Sequence, residues 1–155
     1  MARSNVRLDY GELQKLKEQI EKVADATQVD QFMRSCAKEL AARLLGKVIR
    51  RTPVGQYPSG SGKTGGTLRR GWTAGKGASS YANSLNVTKV GTDYVIEIIN
   101  PVEYASYVEF GHRTRNHTGW VEGKFMLTIS EDEIRKSAPR ILEKKLENYL
   151  KGCFK

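Results

Sequence analysis

The stretch QVDQFMRSCAKELAARLLGKVIR, residues 28–50, decides the fold class. Phe32, Met33, Cys36, Ala37, Leu40, Leu44 and Val48 recur three or four residues apart. That spacing puts them on one broad face of a helix, wide enough to serve as the central helix of a domain. Thr27 and Asp30 have the spacing of a capping box, and Thr52-Pro53 ends the segment. Beyond it the period changes from helix to strand. Leu85–Val90 and Tyr94–Ile99 read as strands joined through Gly91-Thr92-Asp93, a natural hairpin. Tyr94, Ile96 and Ile98 would face one side, while Val95 and Ile99 suggest cover on the other. Leu68, Arg70 and Trp72 hint at a third strand by alternation. A long helix on an antiparallel sheet of about three strands, with a C-terminal helix beside it, makes the chain α+β.

The flanks carry weaker signals. Asp9 and Glu12 would open a first helix, with Leu13, Leu16, Ile20 and Val23 as a narrow apolar seam. A seam that narrow leaves open, for residues 1–26, packing on a neighbouring subunit instead of on the helix's own domain. Asn100-Pro101, with Glu103 closing a box and Gly111 as the stop, predicts a short helix. Tyr104, Tyr107 and Val108 would share its anchoring face. His112, Arg113, Arg115, His117 and Trp120 then fall in a loop. The segment 123–155 is helical in composition, with a Ser130/Glu133 box and a break or kink expected near Ser137, because Pro139 costs about 3 kcal/mol inside a helix.

At 155 residues the chain suits one domain with a core large enough to need neither disulfide nor metal. Cys36 and Cys153 read as two free thiols. No apolar run approaches the length that spans a bilayer, and Met1–Tyr10 lacks the apolar core of a signal peptide. The net charge of +9 is unevenly spread. No acid occurs between Glu39 and Asp93, whereas residues 91–122 are net acidic. So one-sided a field attracts an anionic partner, either nucleic acid or the acidic face of a protein. From Gly55 to Gly77, 8 of 23 residues are glycine, which predicts a mobile loop that orders against a partner.

Catalytic motifs find little support. Gly60-Ser61-Gly62-Lys63-Thr64 looks like the end of a P-loop, but Tyr57 stands where that motif needs its first glycine, and no apolar strand precedes it. His112 and His117 lack the converging ligands of a metal site and the partners of a nucleophilic triad. The expectation is a protein that is not an enzyme and carries no cofactor. Glu109 sits in the last turn of the short helix, where the macrodipole disfavours an anion. Arg69, Arg70 or Arg113 would then lie nearby, within the chain or across a subunit boundary.

The run Tyr104-Ala105-Ser106-Tyr107-Val108-Glu109-Phe110-Gly111 is similar to the Tyr-Ala-x-Tyr-Val-Glu-Phe-Gly signature of a tailed-phage family. That family is named after gene product ten of the Hong Kong ninety-seven phage, and the tail-completion protein of lambda is related to it. Thr64-Gly65-Gly66-Thr67-Leu68-Arg69-Arg70-Gly71-Trp72 resembles its Thr-Gly-x-Leu-Arg-x-Ser segment, with one residue added before Leu68 and Gly71 where serine is usual. Gly123-Lys124-Phe125-Met126 resembles its Gly-x-x-Phe lead-in to a long C-terminal helix. The resemblance implies a virion protein of the tail or neck, in a phage, prophage or tailocin. It would act in tail completion or head–tail joining, made in the bacterial host cytoplasm and assembled as a ring, with a hexamer favoured. Tail terminator, tube and connector proteins would be its neighbours. Arg69, Arg70, Trp72, Glu109, Arg113, Arg115 and Trp120 are the assembly candidates, and Tyr104, Tyr107, Val108, Phe110 and Gly111 the structural signature. The rival reading is a basic nucleic-acid-binding protein using the acid-free residues 40–92, and the first reading itself leaves room for non-specific contact with DNA.

Overall fold

Asp25 opens the central helix: its side chain accepts a 2.7 Å hydrogen bond from the Thr27 amide, the usual role of an N-cap carboxylate. The computed structural model describes residues 2–6, 11, 14, 15, 17, 18 and 25–153. Strand β1 is Ala2–Val6. Helix α1 is Ala26–Arg51, two residues earlier at its start than the capping-box spacing implied. Helices α2 (Thr67–Gly71) and α3 (Ala78–Ser84) follow. Strands β2 (Thr88–Val90) and β3 (Asp93–Asn100), helix α4 (Ala105–Phe110), strands β4 (Gly111–Arg113) and β5 (Trp120–Glu122), and helix α5 (Met126–Cys153) complete the order. The expected helix from Asp9, with its seam of Leu13, Leu16, Ile20 and Val23, lies largely outside the described residues.

Every apolar residue assigned to the α1 face is buried, save the half-buried Ala37, and Val29, Ala41 and Leu45 join them. The helix is therefore covered on more than one side. Strand β3 lies against one side and α3 and α5 against others. Burying Leu44, Leu45 and Val48 from water contributes about 1.5–3 kcal/mol each.

The sheet is antiparallel with order β1-β3-β2. The β2–β3 hairpin forms as its turn residues imply, closing at Val90↔Asp93 around Gly91-Thr92. Strand β2 is shorter than the stretch from Leu85 suggested. On β3, Tyr94, Ile96, Ile98 and Asn100 are buried. Its other face is only partly covered, with Val95 and Ile99 half-buried and Glu97 exposed. Strand β1 carries no strand signal of its own, since its sequence ARSNV has no apolar alternation.

Two expected features differ. The hinted strand around Leu68–Trp72 is helix α2. Residues four apart satisfy a period of two as well as one helical turn, and here both are buried on the helical reading. The glycine-rich stretch thus reaches the core at its far end, while residues 53–66 run without regular structure. The second difference is α5, which stays helical through Pro139. Pro139 is exposed, so its missing N–H and the carbonyl it displaces are on the wet side. Ala138, Leu142 and Leu146 on the buried side hold the helix against the core on both flanks of the proline. Nor does α5 start at a Ser130/Glu133 box. Ser130 lies inside the helix, fully buried, and donates to the Met126 carbonyl.

Polar pairs fasten the layers. Glu133 receives Lys47 at 2.9 Å and is also paired with Arg51, while Glu39 receives Lys145 at 2.8 Å. These bridges between α1 and α5 are partly wet, so water screens much of their attraction. Thr52 is a fully buried junction. Its hydroxyl donates to the Val48 carbonyl at 2.7 Å and accepts from the Trp72 indole at 2.8 Å. Its carbonyl accepts both Nε and Nη2 of Arg69.

Candidate assembly surface

The site is built from α4, the β4–β5 hairpin and the first turn of α5. It begins at Asn100, the fully buried last residue of β3. Its side-chain Nδ2 donates to the Leu68 carbonyl at 2.9 Å, and its Oδ1 accepts from the Val102 amide at 3.1 Å. That second bond closes a turn rather than a helix cap. The helix starts later, at Ala105, after Tyr104, not at Pro101 as the capping signals implied. Gly71 makes this junction possible. A Cβ there would stand 2.3 Å from Asn100 Oδ1, closer than real Cβ atoms come, so any larger residue would force the junction apart.

Helix α4 turns the opposite face inward from the one expected. Ala105 and Glu109, one turn apart, are buried. Tyr104, Tyr107 and Phe110 are 44%, 58% and 61% exposed, so the tyrosines do not anchor the helix. Val108 is half-buried against the core. The anchor is Glu109, at 5% exposure. Its Oε2 accepts the Leu127 amide at 2.9 Å, and its Oε1 accepts the Thr128 amide at 2.9 Å and the Thr128 hydroxyl at 2.7 Å. These amides belong to the first turn of α5, where N–H groups lack helical partners and the helix dipole is positive. The carboxylate is thus an N-cap supplied by another helix, and it does not need the cation that the sequence reading looked for. Arg69 is spent on Thr52, Arg70 donates to the Gly65 carbonyl at 3.2 Å, and Arg113 is exposed. Backbone bonds complete the clasp: the Phe125 amide reaches the Glu109 carbonyl at 3.0 Å, and the Lys124 amide reaches the Val108 carbonyl at 2.7 Å. They hold Phe125 at a φ of 46°, which a bulky residue adopts only under such constraint.

Gly111 ends α4 as its sequence position predicts, at a φ of 86°, and its amide bonds to the Tyr107 carbonyl. A Cβ here would meet the Val121 carbonyl at 2.5 Å, so the hairpin packs directly on the backbone. The segment read as a loop is this hairpin, with Gly111↔Glu122, His112↔Val121 and Arg113↔Trp120 paired. Trp120 and Val121 are 55% and 43% exposed, on opposite faces of the hairpin, and Phe125 and Ile129 are also exposed. Tyr107 and His112 rings lie 5.8 Å apart. Of the assembly candidates, Arg113, Arg115 and Trp120 are exposed on the hairpin and its loop, and Arg70 is exposed elsewhere. Trp72 is a core residue at 3% exposure, held by its indole bond to Thr52, and no longer a surface candidate.

Residues 14–111 match the family described as "Bacteriophage HK97-gp10, putative tail-component". The chain belongs to this family. The exposed Tyr107 and Phe110 and the buried Glu109 all lie in the last turns of the matched region. No curated protein and no solved structure matches the chain. The family makes this a structural component of a phage tail, and hence of the virion. In the tail component, the Gly60–Thr64 run lies exposed in turns, with Lys63 5.8 Å from the Tyr57 ring centre. Among the described residues no three His, Cys, Asp or Glu side chains are grouped to hold a metal, and no helix is long and apolar enough to cross a membrane. Cys36 is a packing residue of α1, its thiol pushed up to about 12 by burial.

Proposed function

We propose that this tail component completes the tail at its head-proximal end, as a ring, hexameric for preference, whose subunits meet through the exposed aromatic residues of α4 and the β4–β5 hairpin. The observation that carries the reading is the exposure of Tyr107, Phe110 and Trp120 on a mount fixed from beneath by Glu109. Exposed aromatics on a rigid support are the usual anchors of a protein interface, whereas flexible ones would lose much of their gain to ordering. Arg113 and Arg115 would form the polar rim. Tail terminator, tube and connector proteins are the neighbours this position implies.

The test is Phe110→Asp and Trp120→Asp, examined by circular dichroism, sizing and complementation of tail assembly. The reading requires folded subunits that no longer form rings and particles whose heads and tails fail to join. Rings of normal size from both variants would overturn it. A second reading, non-specific DNA binding, is favoured by exposed Lys63, Arg70, Lys76 and Lys89 in the acid-free stretch. It demands an affinity that falls by orders of magnitude between low and moderate salt.

A further inference from the structure

Away from these exposed aromatic residues, an open groove of about 780 Å³ runs between α1, α3 and α5. Its floor is of small and apolar residues, Ala42 and Gly46 on α1, Ala78 on α3, and Ile134 and Ile141 on α5, with Ser79 and Ser137 among them. Arg43, Lys47 and Arg50 stand along α1 beside it. It continues into a second hollow of about 560 Å³ through shared Glu39, Arg43 and Ile141, adding Arg140 and Lys144. Glu39, the acid lining the groove, and Glu133, next in sequence to the groove residue Ile134 on α5, are already engaged. Glu39 takes Arg43 and Lys145, and Glu133 takes Lys47 and Arg51. Arg50, Arg140 and Lys144 are exposed and make no ion pair among the described residues.

We propose that this groove seats an acidic amphipathic helix contributed by a different protein of the particle. The apolar floor suits the hydrophobic stripe of a helix, and the cations on both walls suit carboxylates flanking that stripe. A bare phosphate backbone would use the walls and leave the floor empty. Helix α5 of a second copy is a poor occupant. On α5 Glu131, Asp132 and Glu147 are each paired one turn on, with Arg135, Lys136 and Lys151. The groove is separate from the exposed aromatic residues, so this binding stands whether or not the ring contact does.

The substitution Gly46→Leu fills the floor without moving a charge. A Cβ at Gly46 meets nothing nearer than the Arg50 guanidinium at 3.9 Å, the end of a flexible, exposed side chain, so the helix backbone leaves room for a side chain to start there. The pair Arg50→Glu and Arg140→Glu reverses the walls and leaves the floor. The probe is a fluorescent peptide of about four helical turns, with leucines on one stripe and glutamates flanking it. A shuffled peptide of equal composition and a short DNA duplex serve as competitors. Full-length protein should bind the amphipathic peptide, and each variant should weaken it by about tenfold or more. The shuffled peptide should lose as much. The proposal falls if the peptide does not bind, or if the shuffled sequence binds equally. It also falls if the duplex alone binds and Gly46→Leu leaves that binding intact, which would make the groove a phosphate-binding surface.

Discussion

Glu109 and Thr128 are joined by two hydrogen bonds, both to Glu109 Oε1, one from the Thr128 amide and one from its hydroxyl. With the Leu127 amide on the other oxygen, one carboxylate satisfies three donors at the start of a 28-residue helix. A glutamate in the last turn of α4 is thereby part of the fold of α5.

The substitution Glu109→Gln should therefore destabilise the isolated subunit. An amide side chain offers one acceptor oxygen, and its NH₂ would face a backbone N–H. Losing a charged, buried acceptor costs about 1–3 kcal/mol. For a chain of this size that lowers Tm by roughly 2–4 °C per kcal/mol. A melting curve that superimposes on wild type would rule out the capping role.

Tyr107→Ala should be mild. The ring is 58% exposed, so truncation should change stability by no more than about 0.5 kcal/mol. This reverses the expectation from the sequence, in which the tyrosine anchored the helix. The measurement is chemical denaturation of the monomer, and a loss of several kcal/mol would contradict the geometry described here.

Thr52→Val should be costly despite its matching shape. It removes the acceptor of the Trp72 indole and the donor to Val48 inside a fully buried junction. Leaving the indole N–H unsatisfied costs about 1–3 kcal/mol. Thr52→Ser, which keeps the hydroxyl, should recover most of the polar part of that loss. If the valine and serine variants melt together, the hydroxyl is not the reason.

Acid should loosen the contact between α1 and α5. Hydrogen bonds from Lys47, then Arg51, hold the Glu133 carboxyl below the ordinary glutamate value of 4.5. Glu39 is also held below 4.5: burial opposes its charge, but the bonds from Lys145 and Arg43 outweigh it. A carboxyl depressed on folding stabilises the protein above the unfolded value and loses that contribution as pH falls through the folded one. Stability should thus decline from about pH 4.5 downward, and Glu133→Gln should flatten part of the decline. Urea midpoints across that range check it.

Where the fold was legible, a single periodicity decided the matter. The apolar face of α1 and the alternation of β3 each have one good solution, and Gly91-Thr92 allows only a tight turn. Helix α2 was misread because Leu68 and Trp72 fit either period. The inverted face of α4 was hidden for a deeper reason. Both faces of Tyr104-Ala-Ser-Tyr-Val-Glu-Phe carry groups able to be buried, and the choice is made by amides 18 and 19 residues away. Nothing local reveals such a partner. Likewise β1 is chosen by the free edge of β3, not by any pattern of its own.

Helix α5 runs unbroken from Met126, past Pro139, to Cys153. Its first turn holds α4 through Glu109, and Lys144 on the groove wall lies eighteen residues beyond Met126, about 27 Å at 1.5 Å per residue. The helix is therefore a ruler. It fixes the separation of two surfaces of the molecule, and inserting or deleting a single residue between Ser130 and Arg140 would both change that distance and swing one surface by about 100° around the axis relative to the other.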